Sequence, residues 1–260
     1  MEAHAHVEVE RVDGRDVVRR LHSAPPLTLR ATLDGVHLVG SGAGPLGGDR
    51  LALGVRVGAG ARLNLASVAA MLAQPGPFGD HSTLDTDLEL EQGATLVMRP
   101  QPIILVRGCD HRARTRARLA ADATLVWREE VVLGRHGEPG GSLRQRLDVE
   151  LAGLPLLRSE TAMGGRWPDS LGPAGIGAAR AVGSLLLVGE ALDLERLVES
   201  AEGIGRGGLS PDTVKVAALV LDGPGILVSV VAERPSQVAS ALDVVWGAAS
   251  GADRGAPARW

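Results

Sequence analysis

Residues 44–65, GPLGGDRLALGVRVGAGARLNL, decide the fold. Val55 and Val57 point one way and Arg56 the other. After the small pair at Ala59 and Gly60, the residues Ala61, Leu63 and Leu65 return to the apolar face while Arg62 and Asn64 face out. A side-chain period of two is the mark of a half-buried β-strand. The stretch therefore reads as strand, tight turn, strand.

The same plan returns downstream. Leu88-Glu89-Leu90 leads through Gly93 to Ala94, Leu96 and Met98. Ala117-Arg118-Leu119 leads through Asp122 to Ala123, Leu125 and Trp127. Val149-Glu150-Leu151 leads through Gly153 to Leu154 and Leu156, with a turn one residue shorter. A fainter copy, Leu33, Asp34-Gly35, Val36 and Leu38, precedes them all. The turns recur every ~30 residues, a period typical of stacked, quasi-one-dimensional architectures.

Charges predict how the copies stack. The outward positions before the turns carry Arg56, Glu89, Arg118 and Glu150. Parallel, adjacent strands would line these into one ladder of alternating sign, and would set Asp85 and Asp87 beside Arg114 and Arg116. An antiparallel meander would not. Each such pair contributes only ~0.2–1 kcal/mol, so the ladder sets register more than it adds stability. The arginines at 112, 114, 116 and 118 are thereby matched by acids at 85, 87, 89 and 91 and are not read as an anion-binding row.

The expected fold class is mainly β: a β-helix or solenoid-like stack over about residues 1–165, closed by a small α/β end with about two helices over 180–250, and a tail at 251–260, all one domain. A first hairpin is predicted around Asp13-Gly14, and another pair of strands over 27–33 and 36–39. Residues 73–80 read as an insertion-like loop carrying Phe78, and 164–177 as an irregular crossover. Leu185–Val188 reads as a buried strand, and Leu194, Leu197, Val198 and Ala201 as a helix. Residues 214–221 and 226–231 form a hairpin, and a last helix opens at Pro235.

Composition narrows the function. With one Phe, four Trp and no Tyr, the core is built from Leu, Val and Ala. The net charge of −4 argues against nucleic acid as the main ligand, which needs a basic field. A single cysteine, Cys109, provides no disulfide framework and fits a reducing compartment. MEAHAHVEVE lacks the apolar run of a signal peptide, and no stretch approaches the ~20 apolar residues of a membrane span. A soluble, cytoplasmic protein without membrane contact is expected.

Chemistry-bearing motifs are sparse. There is no G-x-S-x-G, P-loop or H-E-x-x-H. Gly203–Gly208 reads as a plain turn. Cys109 and His111 would share a strand face and offer metal ligands without a second pair; the plainer reading is a turn cysteine beside a surface histidine. His4 and His6 have the same spacing in a terminus expected to be solvated. Glu129, Glu130 and Glu138 flank Gly134-Arg135-His136-Gly137, where carboxylates can line a polar channel or meet a cation. Val97, Val126 and Leu157 form a second apolar stripe that the terminal helices or another protein must cover. With Trp246 and Trp260 they are the candidate partner-interface residues.

GPLGGDRL at 44–51, VGAGARLNLAS at 57–67, LEQGATLVMRPQPIIL at 90–105, ADATLVWREEVVLGR and GE within 121–138, and LDVVW at 242–246 with ARW at 258–260 together resemble the urease accessory protein family UreD, called UreH in some bacteria. The resemblance implies a β-helical fold with terminal helices and no turnover. It implies partners: apo-urease, a helical accessory protein of the UreF type and a nickel-carrying GTPase of the UreG type. It implies no tightly bound cofactor, only transient Ni2+ on an internal polar route, with Glu130 and Glu138 in the matching motif as channel candidates. The chain departs from the family at Leu96–Gln101, where the usual Leu-Glu-Trp-Leu-Pro-Gln type segment lacks its acidic and aromatic members. Roles assigned to those members do not transfer. Two rivals stand beside this reading: a carbohydrate-acting enzyme on a β-solenoid, which the lone lysine (Lys215) and the missing tyrosines disfavour, and a plain protein-interaction module.

Overall fold

The computed structural model describes residues 1–207 and 214–250. The chain runs β1 (Glu2–Val12), β2 (Arg15–His22), β3 (Leu27–Thr32), β4 (Gly35–Gly40), β5 (Arg50–Val57), β6 (Arg62–Ser67), β7 (Met71–Ala73), β8 (Ser82–Leu90), β9 (Thr95–Arg99), β10 (Ile103–Leu105), β11 (Asp110–Leu119), β12 (Thr124–Leu133), β13 (Ser142–Leu151) and β14 (Leu154–Gly164). A 3₁₀ turn at Pro168–Leu171 lies in the irregular crossover. Then follow β15 (Ala181–Val188), helix α1 (Leu194–Gly207), the hairpin β16 (Val214–Val220) and β17 (Gly225–Ala232), and helix α2 (Pro235–Ser250).

The strands form two facing sheets. The first has the order β14-β13-β11-β8-β5-β1-β2, and the second β16-β17-β15-β12-β9-β6-β4-β3, with β7 and β10 attached beside β12. Each repeat places one strand in the first sheet, turns a corner, and places the next in the second, so equivalent strands lie parallel. The corner explains the recurring small residues. Gly60 and Gly93 both have φ of 64°, a conformation that costs glycine nothing. The alanines after the corners, Ala61, Ala94 and Ala123, are completely buried. Inside the stack, Leu63, Leu96 and Leu125 align across three strands, as do Leu65, Met98 and Trp127.

The charge ladder is longer than expected. Register pairs Arg20 with Glu8, Glu8 with Arg56, Arg56 with Glu89, Glu89 with Arg118, and Arg118 with Glu150. The sign alternates across the first sheet from β2 to β13. The side chains then choose locally. Arg118 meets Glu89 at 2.6 Å, but Arg56 reaches Glu91 at 2.6 Å and Glu8 at 3.4 Å rather than Glu89. Arg116 takes Asp87 at 2.7 Å, while Arg114, opposite Asp85, leans to Asp148 at 3.5 Å. Arg114 also stands beside Arg146, which holds Asp148 at 2.8 Å. Two neighbouring guanidinium groups thus share one carboxylate.

Two of the sequence copies are not corners. Ala152 (φ 52°) and Gly153 (φ 79°) make a two-residue hairpin turn, so β14 folds back antiparallel on β13 in the same sheet. The shorter turn is the cause: two left-handed residues match the twist of a hairpin and leave no length to round the edge. Likewise β3 and β4 are an antiparallel pair around Leu33 and Asp34. These hairpins end the stack at opposite edges. Gly203–Gly207, expected as a turn, continues helix α1, and Gly208 lies outside the described residues.

Helices α1 and α2 cover the outer face of the second sheet over β12, β15 and β17. Val97 and Val126, each 4% exposed, belong to the cluster beneath them with Leu185, Leu197, Val228, Val238, Leu242 and Trp246. The chain's own helices therefore cover that stripe, Val126 wholly and Val97 up to the edge of the helical layer. Leu157 is not part of it. It sits on β14 in the first sheet and packs toward the inter-sheet core.

Candidate functional site

The space between the sheets is filled by two apolar clusters, one containing Leu125, Trp127, Leu147 and Leu186, the other Val131, Leu133, Leu143 and Met163. Between them the pattern breaks. Along β12 the inward residues run Leu125, Trp127, Glu129, Val131; along β13 they run Leu143, Gln145, Leu147. Glu129 and Gln145 thus occupy the single inward position between the clusters on each strand. Facing them are Ser159 and Thr161 from β14, Ser184 from β15 and Ser229 from β17. They line a cleft of about 90 Å³ that opens to solvent beside the exposed Thr161 and whose walls also include Leu227 and Met163. Ser184 lies directly opposite Glu129 in register, and Ser229 opposite Ser184. At roughly 30 Å³ per water, the space holds a few waters or one small cation with part of its hydration.

Gln145 donates a hydrogen bond from Nε2 to Glu129 Oε2. Burial raises the Glu129 carboxyl to about 7, against the opposing pull of the Trp127 indole and the Gln145 amide. A carboxylate in an apolar interior is costly when ionised. Hydroxyl and amide oxygens around it are hard donors that bind a borderline divalent ion weakly.

The residues selected from the sequence lie elsewhere. Glu130, one position on, faces the opposite side of the sheet. Its Oε1 lies 2.7 Å from the Arg128 guanidinium, which also binds Asp243 at 2.5 Å and the Ala239 carbonyl at 3.4 Å. This buried group anchors α2 to β12, and burial raises the Glu130 pKa against the attraction of Arg128. Glu138 closes a surface turn. Arg135 grips it through Nε at 2.9 Å and Nη2 at 3.1 Å, holding its carboxyl down to about 2. Arg180 secures the same turn through the carbonyls of Leu133 and Glu138. Neither carboxylate lines the cavity.

Cys109 and His111 do point to the same side, inward, but His111 is not at the surface. It is completely buried, with Nδ1 2.8 Å from Ser82 Oγ, and burial lowers it to about 4. Burial pushes the Cys109 thiol up to about 11. Both are neutral at ordinary pH, and among the described residues no three potential ligands gather to hold a metal. His4 and His6 are on the outer face of β1, within the sheet rather than in a loose terminus, their ring centres 6.5 Å apart. Trp246 is on the buried face of α2 with Arg99 stacked 5.3 Å from its ring centre. Trp260 lies outside the described residues.

Sequence reading missed Gln145, Ser184 and Ser229, and it named Glu129 among the channel carboxylates without selecting it. The signal was present: Glu129 has the same parity as Leu125, Trp127 and Val131, so it had to face inward. A weight placed on motif membership favoured Glu130 instead.

A two-sheet β-solenoid whose corners stack at a ~30-residue period, capped by two helices and interrupted between the sheets by a polar cleft, is the class this fold and site define. The whole chain, residues 1–260, matches the family model for the UreD urease accessory protein. It is 39% identical over 274 residues to urease accessory protein UreD of Frankia alni, covering 89% of this chain and 87% of that one. It is 38% identical over 276 residues to urease accessory protein UreD of Parafrankia sp., covering 96% and 89%. Against urease accessory protein UreD 3 of Streptomyces griseus the identity is 44% over 186 residues, covering 67% and 72%. The chain belongs to the UreD urease accessory protein family, a family of accessory proteins and not of enzymes. Among the described residues no helix is long and apolar enough to cross a membrane.

Proposed function

We propose that this chain serves nickel insertion into apo-urease, working in a complex with a helical accessory protein of the UreF type and a nickel-carrying GTPase of the UreG type. It is a conduit and docking platform that turns nothing over. The observation that carries the reading is the Glu129 cavity. An acid placed between leucine clusters weakens the fold, and such placements persist where function requires them.

In this reading Ni2+ is cargo. It displaces the Glu129 proton, is steadied by the Gln145 carbonyl and the serine and threonine hydroxyls, and leaves readily because oxygen donors hold it loosely. Glu130 with Arg128 and Asp243 keeps the helical cap on the stack, and Glu138 keeps the neighbouring turn closed. The place of action is the cytoplasm, where a single buried thiol is at ease.

The test is a strain lacking this chain. Urease from it should assemble but carry little nickel, and the chain should co-purify with apo-urease when the helical accessory protein is present. Normal nickel loading in the deletion strain would defeat the proposal.

A further inference from the structure

The helical layer on the second sheet is incomplete. Helices α1 and α2 cover β12, β15 and β17, but the outer face of β4, β6 and the first part of β9 forms an open groove of about 830 Å³. Register shows what lies on it. One row runs from Arg30 on β3, just outside the groove, across His37 and Ala66 to Arg99; the row beside it runs Gly35, Asn64 and Val97; the next pairs Arg62 with Thr95. Strands ~4.8 Å apart place Arg30 and Arg99 roughly 14 Å from one another.

On the other sheet Arg56, Arg114, Arg116, Arg118, Arg144 and Arg146 are ion-paired, while Arg15, Arg20, Arg50, Arg112 and Arg158 make no ion pair among the described residues, with Arg20 and Arg158 standing beside Glu8 and Asp148 of the ladder. On this face Arg30, Arg62 and Arg99 are exposed and make no ion pair among the described residues. Arg99 is held in place by stacking on Trp246. The acids at the groove are Asp16, bound by Arg11 at 3.0 Å and by the Arg62 backbone N–H, and Asp34 at the hairpin turn. Leu33, fully exposed, and Val18 stand on the rim.

We infer that this groove receives an acidic amphipathic α-helix of a partner protein, which lies beside α2 and completes the helical layer. The spacing from Arg30 to Arg99 corresponds to about nine residues of helix at 1.5 Å rise. Carboxylates at i, i+4 and i+8 on one face would meet the cationic row, while apolar neighbours reach Leu33 and Val18. Small Ala66 and Gly35 leave room for the helix to approach the floor. The inference concerns a surface remote from the Glu129 cavity and does not depend on the nickel proposal.

The probe is a synthetic helical peptide with Glu at three such positions and Leu beside them, with a Lys-for-Glu peptide as control, followed by fluorescence anisotropy on the full chain. The Glu peptide should bind and the Lys peptide should not. Arg30→Glu with Arg62→Glu should weaken binding by about tenfold or more, with steep salt dependence. Ala66→Trp, which fills the floor without changing charge, should block it. Arg112→Glu, on the other sheet, should change nothing. Thermal unfolding of each variant separates lost binding from lost folding.

Absence of binding by the Glu peptide, or equal binding by the two peptides, overturns the inference. So does concentration-dependent dimerisation abolished by Ala66→Trp, which would assign the groove to a second copy. A truncation after Ser250 that raises peptide affinity tenfold would assign it to residues 251–260 of the same chain. None of these results touches the maturation proposal, which stands or falls on nickel loading in the deletion strain.

Discussion

Glu129→Gln should stabilise this protein, and only on the alkaline side. The carboxyl is raised by burial from its ordinary 4.5 to about 7. A folded-state pKa above the unfolded one means that the folded chain holds the proton more tightly. The associated stability is fully present below about pH 4.5 and is lost as pH rises through 7. A shift of that size corresponds to roughly 3 kcal/mol. Glutamine keeps an acceptor for Gln145 Nε2 and never ionises. In urea unfolding followed by tryptophan fluorescence, the variant should match wild type near pH 4.5 and exceed it by up to about 3 kcal/mol at pH 8. For a chain of this size each kcal/mol moves the melting point by about 2–4 °C, so the pH 8 difference is easily read. A difference that is the same at both pH values, or a variant less stable at pH 8, would refute the assignment of Glu129 to a desolvated interior position.

Four further outcomes follow from named contacts. Arg128→Ala leaves Glu130 buried without its partner and frees Asp243 on α2, and should cost about 3–5 kcal/mol, with hydrogen exchange rising first in α2. Gly183→Val should lift the same helix, because a Cβ at 183 would lie 2.3 Å from Val238 Cγ1 and 2.9 Å from Leu242 Cδ1; a loss of roughly 1–3 kcal/mol and a red-shifted Trp246 emission are expected. Arg118→Glu breaks the ladder at one strand and should cost no more than about 1 kcal/mol, since the pairs are half-exposed; a loss several times larger would mean that the ladder holds the sheet rather than its register. Glu138, held at about 2 by Arg135, contributes stability that is present above its ordinary pKa and lost as pH falls toward 2; the deficit of Glu138→Gln should be constant above pH 5 and vanish at the acid end.

How far the sequence could be read depended on scale. Alternation, corner residues and charge signs are local or periodic, and they located the stack, the parallel register of Arg56, Glu89, Arg118 and Glu150, and both helices. The ends of the stack were not legible from period alone, because a corner and a hairpin share the same small residues. One residue of turn length and the left-handed pair Ala152-Gly153 separate them. Leu157 was misplaced for that reason. His111 read as a surface group because a lone histidine beside charged neighbours usually is one, whereas the inward parity of β11 buries it against Ser82. The cavity needed both sheets at once. Parity pointed Glu129 inward, but only the crossing of β12 with β13, β14, β15 and β17 shows that Gln145, Ser184 and Ser229 await it there.

Nickel per urease active site, in urease purified from cells whose only copy of this chain carries Glu129→Gln, tests the central claim most directly. The variant protein should accumulate, melt at or above the wild-type temperature and still co-purify with apo-urease, while urease nickel falls to about a tenth of the wild-type content or less, the scale of losing a charged ligand's contact. Full nickel occupancy with the carboxylate gone would contradict a route through the Glu129 cavity.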